Sequence, residues 1–396
     1  MDAKRLIRRL VLLAVSSSMA TGMMGFLPTH VRPQPSLWLP AGVLSNTDKP
    51  MGLQAGRRHL WLLVKTPATS TRPSGYRGEA ASLTSLSVRA VTPPLPTAGS
   101  LNQAAWGRTP GGSWWVAFSG LSTLSNGLPV RVVKTAIWRP GQPTWTQLPS
   151  LTFPSSDNGG QAPQTVIVKG KLGHGWLVSR TPAGERTTVY RLNPRGWRKI
   201  HTLAYSRPVT GSSFHWAVAG PVGQLFVKPA GADFALWMSA SGSIQKTTPI
   251  PTLLSKQMQT AFGDAPEVAV SNDRVAYLSS TATGNLWRWV GSRVQSLIGS
   301  QSPLAGDVIV WQGVWHNSPV VTAVNSRSLR QMVYVYRDGG WHPAPYLIRY
   351  PASAQPLGSH NPAYYSFWSG NTFWTMSPHH VVYVHRVPFR APQRWR

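Results

Sequence analysis

Short runs of apolar residues recur along this chain, each closed by a cluster of Gly, Pro, Asn, Asp or Ser. The clearest is Gln331 to Trp341, where alternating strand-forming residues run into Asp338-Gly339 and a Trp follows at once. Val, Tyr and Met in a run of this length predict a strand, and Asp-Gly predicts a two-residue hairpin with φ > 0 at both central positions. The same shape returns at Ala136 to Gly141 leading to Trp145, and at Val189 to Gly196 leading to Trp197. It returns again at Leu236-Trp237-Met238 leading to Ile244, at Leu286 to Trp289 leading to Val294, and at Val381 to Arg386 ending at Trp395. Leu86 to Arg89 before Pro93-Pro94 reads as a degraded first copy, and Arg72 to Gly78 as a polar loop.

A second apolar run precedes each hairpin: His59–Val64, Trp114–Phe118, Gly175–Val178, Gln224–Val227, Arg274–Leu278, Pro319–Ala323 and Thr372–Met376. A third, richer in small residues, lies upstream of most of these: Gln164–Val168, Phe214–Val218, Glu267–Val270, Asp307–Trp311 and Tyr364–Trp368. Each unit therefore holds about four short strands and repeats every 50 residues or so, the scale of propeller blades. The layout resembles that of β-propeller proteins as a class. The resemblance implies an all-β fold, a β-propeller of seven blades with four antiparallel strands each. An all-β sandwich also uses short strands and frequent turns, but would not require the longer period.

No narrower family is indicated. There is no Trp-Asp dipeptide of the WD40 kind, and only Gly339-Gly340-Trp341 is similar to kelch. Ser155 to Ala162 is similar to the start of an Asp-box turn of sialidase-type propellers. Ala162 stands where that box needs an aromatic, so the stretch reads as a polar loop.

The expected organisation is a signal peptide or N-terminal anchor over 1–27, a Pro-rich linker or closing strand over 28–46, and the propeller over 47–396. Lys4, Arg5, Arg8 and Arg9 form a basic start, Leu10 to Val15 an apolar core, and Ser18-Met19-Ala20 offers small residues at cleavage spacing. Met23, Met24, Phe26 and Leu27 extend the apolar stretch, so an uncleaved anchor stays open. Either way the propeller is secreted or extracytoplasmic. Ser36 to Leu39 reads as a first inner strand or as a latch onto the last blade, and Phe389 to Arg396 as the last outer strand. Leu253, Leu254, Met258 and Phe262 sit near helical spacing.

Composition narrows the chemistry. With no Cys, neither disulfides, a lipoprotein anchor nor thiol catalysis is available. The 39 Lys and Arg against 11 Asp and Glu give a formal charge of +28. Such a surface attracts polyanions, and an exported one meets wall polymers, anionic lipid headgroups and extracellular nucleic acid. So few carboxylates also leave little stability to lose in acid. No nucleic-acid-binding motif is present, so no specific nucleic-acid partner is expected. Membrane contact is expected only through the N-terminal segment, and the protein is expected to be a monomer.

In a propeller the loops leading into the innermost strands open around the channel. Here these hold Asp264, Glu267 and Asp307 on adjacent units, with His215 and His360 in the same class of loop. These five residues are the candidate ligand-binding set. Converging acids could ligate Ca²⁺ or act as an acid–base pair; the bland reading is that each acid caps a turn or meets an Arg. Trp61, Trp115, Trp176, Trp287 and Trp374 read as inter-blade core, or as a sugar-stacking platform. His379 and His380 point to opposite faces of a regular strand and so cannot share one metal. No catalytic motif is assembled: no phosphate loop, no nucleophile elbow and no zinc-protease signature. The expected function is an exported binding or scaffold module at the cell envelope, its ligand an anionic or glycan polymer, with no required cofactor. The alternative is a glycan- or lactone-active enzyme using the three acids.

Overall fold

The computed structural model describes residues 38–43, 49–55, 59–71, 74–82, 88–96, 103–155, 162–170, 173–181, 186–204, 216–220, 223–229, 232, 234–249, 267–270, 275–280, 285–298, 302–315, 318–324, 331–343, 366–369, 372–376 and 381–386. All regular structure among them is β-strand, and no described helix is long and apolar enough to cross a membrane.

The strands form seven antiparallel sheets. β1 (Trp38–Val43) belongs to the last of these. The first sheet holds β2 (Lys49–Ala55), β3 (His59–Thr66), β4 (Gly75–Ser82) and β5 (Val88–Ala90), with β6 (Leu95–Pro96) also on β4. The second holds β7 (Gln103–Arg108), β8 (Trp114–Thr123) and β9 (Pro129–Trp138), whose outer edge takes both β10 (Thr146–Gln147) and β11 (Leu151–Pro154). The third runs β12 (Gln164–Lys169), β13 (Gly175–Arg180), β14 (Arg186–Asn193) and β15 (Gly196–Ala204). The fourth runs β16 (Trp216–Ala219), β17 (Leu225–Lys228), β18 (Phe234–Met238) and β19 (Ile244–Pro249). The fifth runs β20 (Glu267–Val270), β21 (Ala276–Ser280), β22 (Asn285–Val290) and β23 (Arg293–Ser296). The sixth runs β24 (Val308–Trp315), β25 (Ser318–Val324), β26 (Gln331–Arg337) and β27 (Gly340–Pro343). The seventh joins β28 (Ser366–Ser369), β29 (Thr372–Met376) and β30 (Val381–Arg386) to β1 on its outside.

Innermost strands of successive sheets touch from β2 to β28, and β1 packs on β4 and β5. The sheets therefore close into a ring, and the fold is a β-propeller. The closing strand comes from the N-terminal side: Trp38 pairs with His385 and Val43 with Val381. Of the two readings of Ser36–Leu39 this is the latch onto the last blade; Phe389–Arg396, expected as an outer strand, lies outside the described residues, as does the expected helix around Leu253 to Phe262.

Alternation fills the spaces between sheets. Consecutive strand residues point to opposite faces. Trp114 accordingly packs with Leu63, Tyr76 and Leu95 of the first sheet, while Trp115 packs with Ile167, Leu177 and Leu192 of the third. In the fourth sheet Leu225 and Val227 face Trp176 of the third, and Phe226 faces Trp287 and Trp289 of the fifth. Truncating such an aromatic to Ala costs about 3–5 kcal/mol in cores of this kind.

Three Trp residues that mark the repeat also reach backward to the preceding sheet through their indole N–H. Trp145 donates to the Pro93 carbonyl at 2.8 Å, Trp197 to Thr135 Oγ1 at 2.8 Å, and Trp341 to the Leu297 carbonyl at 2.7 Å. The Asp338-Gly339 turn has φ of 49° and 80°, both positive as a primed hairpin requires, with Arg337 paired to Gly340.

The first sheet departs from expectation. Its third strand is β4, which covers part of the expected polar loop, and Val88–Ala90 lies outside it as β5. Gly-Tyr-Arg-Gly-Glu-Ala-Ala-Ser lacks the aliphatic signal of a strand, because its neighbour supplies the bulk. A Cβ on Gly78 would come within 2.9 Å of the Trp114 ring and 2.8 Å of Thr92. The innermost strands β2 and β7 carry no aliphatic run either; in β7 a Cβ on Gly107 would come within 2.7 Å of the Trp115 ring.

Candidate functional site

The structure places the expected site residues as follows. His215, Asp264 and His360 lie outside the described residues. Glu267 opens β20, and Asp307 stands immediately before β24, so the two acids begin adjacent innermost strands. Burial, reinforced by the Asp307 charge, raises the Tyr334 phenol above its ordinary value. No cluster of three or more metal-ligating side chains occurs among the described residues. Trp115, Trp176 and Trp287 are buried between sheets, so none offers a ring face to a sugar. Trp61 is half-buried under the Arg108 guanidinium, 3.9 Å from its ring centroid. The side chains of Trp374 and His385, and all of His379 and His380, lie outside the described residues.

A cleft of about 480 Å³ opens between the second and third sheets, on the opposite face of the ring from those acids. The assignment follows from strand direction. The cleft is lined at the β7–β8 and β12–β13 turns, where innermost strands end, and at the β14–β15 turn. Glu267 and Asp307 stand where innermost strands begin. Trp115, Ile137, Leu192 and Ile200 supply apolar lining. Arg139 follows β9, Arg191 lies near the end of β14, Arg198 near the start of β15, and His174 in the β12–β13 turn. Thr109, Ser113, Asn193 and Ser241 add neutral polar groups, and no Asp or Glu is among the described residues that line the cleft.

Local backbone chemistry sets this shape. Gly173 has φ of +73°, and any Cβ there would collide with the Arg108 carbonyl. The carbonyl of Gly173 accepts the Trp115 indole N–H at 2.6 Å, which locks the turn that carries His174 to the second sheet. Asn193 Oδ1 accepts the Arg195 N–H at 2.8 Å and shapes the turn after Arg191. Gln54 of the first sheet holds both backbone groups of Arg108, donating to its carbonyl at 3.0 Å and accepting its N–H at 2.9 Å.

The electrostatics follow from the missing carboxylates. Burial first, and then the Arg191 charge, lower the His174 pKa below its ordinary value, so the imidazole is neutral at pH 7. Burial lowers Arg108 as well. Lys169 ends β12 with its ammonium 4.8 Å from the Trp106 ring centroid, and burial lowers its pKa to about 8. Trp faces thus stand beside both the Arg108 and the Lys169 cations. Such a lining suits contact with an anionic group, and its described residues include no paired carboxylates for hydrolysis.

Sequence reasoning passed over these cations because they are scattered singly. A signal was nonetheless in the repeat: Arg337 and Arg386 end third strands, Arg139 follows one directly, and Arg191 lies two residues before the end of another. Every such position falls on the cleft's face.

No protein-family model matches the chain, and no curated protein matches it. Among solved structures it is similar to the β-propeller domain of the trilobed protease from Pyrococcus furiosus, with 10% identity over 88% of this chain and 98% of that one, at a TM-score of 0.46. It is also similar to acylaminoacyl peptidase from Pyrococcus horikoshii, with 9% identity over 83% of this chain and a TM-score of 0.47, and spans about half (49%) of that enzyme. A third similar structure is an ulvan lyase of polysaccharide lyase family PL25, with 10% identity over 87% of this chain and 94% of that one, at a TM-score of 0.42.

Proposed function

We propose that the protein is an exported binding module of the cell envelope that takes an anionic group of an envelope component, wall polymers and glycans among them, in the cleft between its second and third sheets. One observation carries this reading: Arg139, Arg191 and Arg198 converge on a cleft of about 480 Å³ whose described lining includes no carboxylate. That volume lies within the usual range for ligand sites, and guanidinium groups suit bidentate contact with carboxylate, sulfate or phosphate. The basic, then apolar, N-terminal stretch supports export.

The test is a titration of the full chain with a soluble uronate or sulfated oligosaccharide at low and high salt, beside the R139Q/R191Q/R198Q variant. The expected result is saturable binding that survives moderate salt and weakens more than tenfold in the variant. Equal binding by both proteins, vanishing with salt, would leave the net charge as the whole explanation and remove the cleft from it.

A further inference from the structure

Three independent features lie on the cleft's face of the ring. The first is charge. The described turns that join first to second and third to fourth strands, with the residues flanking them, present Arg139, Arg191, Arg195, Arg198, Arg293 and Arg337. Asp338 is the single acid on them among the described residues, and it pairs with Arg337 at 3.7 Å. On the opposite face, among the described residues, Glu267 and Asp307 stand where innermost strands begin.

The second feature is apolar. Of the three exposed large aliphatic residues described, two lie on this face: Ile244 opens β19 and is 42% exposed, and Val290 closes β22 and is 38% exposed, while Leu121, 52% exposed, lies near the end of β8 toward the other face. Ile244 and Val290 stand beside third-to-fourth turns, in neighbouring sheets, on the basic face. A polyanion in water gains nothing from aliphatic side chains set among arginines, whereas an acidic lipid surface accepts both.

The third is topology. β1 runs antiparallel to β30 and begins opposite His385, near the end of that third strand. Third strands end on the cleft's face, so whatever precedes Trp38 joins the ring on that face. The stretch upstream is the one with the basic start and apolar core.

We infer that this face docks on an acidic phospholipid membrane, with lipid phosphates meeting the arginines and Ile244 and Val290 entering the headgroup layer. The inference rests on the reading of the cleft as an anion site, and names the surface that supplies the anion.

The experiment uses the full chain, so that the N-terminal segment contributes equally to every sample. The chain has no Cys, which permits single fluorescent labels at S292C on the basic face and S125C on the opposite one; both positions are exposed. Vesicles of phosphatidylglycerol in phosphatidylcholine should shift the label at 292 and leave the label at 125 unchanged. R139Q/R191Q/R198Q should lower vesicle affinity more than tenfold, and the charge-matched K65Q/K134Q/R186Q less than twofold. I244S/V290S should lower vesicle affinity severalfold while leaving the soluble oligosaccharide titration unchanged. Equal responses at 125 and 292, or an I244S/V290S variant with unaltered vesicle binding, would overturn the inference. If soluble anions still titrate the arginines in that case, the cleft serves a polyanion in water and only the membrane reading falls. If they do not, the cleft reading falls with it.

Discussion

The indole Nε1 of Trp341 donates to the carbonyl of Leu297 at 2.7 Å, tying the outer strand of the sixth sheet to the end of the fifth. Trp145 and Trp197 make the same backward reach in the second and third sheets. The residue that marks the repeat in sequence is thus a fastener between sheets in space. In the fourth and fifth sheets the corresponding places hold Ile244 and Val294, which cannot donate.

Replacing Trp341 by Phe should keep most of the buried ring and strand the Leu297 carbonyl. The expected cost is about 1–2 kcal/mol, seen as a midpoint shift in denaturant titration with an unchanged slope. Anion binding in the cleft should be unaffected, since Trp341 lies in the sixth sheet.

Gly173→Ala should do both kinds of damage. The substitution strains a backbone at φ of +73° and drives a methyl into the Arg108 carbonyl. A loss of more than about 1 kcal/mol is expected. Because the Trp115 indole is bonded to the Gly173 carbonyl, His174 should also shift, and oligosaccharide affinity should fall. A stable variant with native affinity would mean that the turn does not shape the cleft.

Alkaline pH should stabilise this protein over part of its range. Lys169 and Lys228 are each lowered from an ordinary 10.5 to about 8, Lys169 by burial and Lys228 by burial and then by Arg180. Between about 8 and 10.5 the unfolded chain holds more protons at these positions than the folded one, so stability rises with pH there. Their contribution is complete above about 10.5 and gone below about 8. Thermal unfolding across that window should show the rise, and Lys169→Met should flatten it.

Affinity for an anion in the cleft should increase as pH falls from 7 towards 5. His174 is neutral in the free protein because its pKa is lowered; a bound anion favours the imidazolium and so takes up a proton. His174→Asn should remove this increase while retaining binding at pH 7. Proton uptake measured in two buffers of different ionisation enthalpy would check the sign.

Much of the ring was legible because its bulky residues keep the period: Trp145, Trp197 and Trp341 recur where outer strands begin, and the second strands are dense in aliphatic and aromatic side chains. β4 was not legible, since Gly78 faces the Trp114 ring and Gly75 the Leu95 backbone, where neither leaves room for a larger side chain. The cleft was not legible for a related reason. Its Arg139, Arg191, Arg198 and His174 come from different strands and turns and converge only when two sheets stand side by side. The acids drew notice because they are rare, yet rarity places Glu267 and Asp307 only at the beginnings of their strands.

Closure of the ring by β1 has a consequence for the order of events. The strand made first is bonded to the one made last, since Trp38 waits for His385 and Val43 for Val381. Sheets one to six can pair as they emerge, through contacts close in sequence. The seventh needs a loop of more than 300 residues to close, and the entropy of that step grows only slowly with length. Until it closes, the third strand of that sheet has a bare edge. Synthesis of all seven sheets is thus over before the ring is whole, and the interval until closure is when this chain is most open to wrong partners.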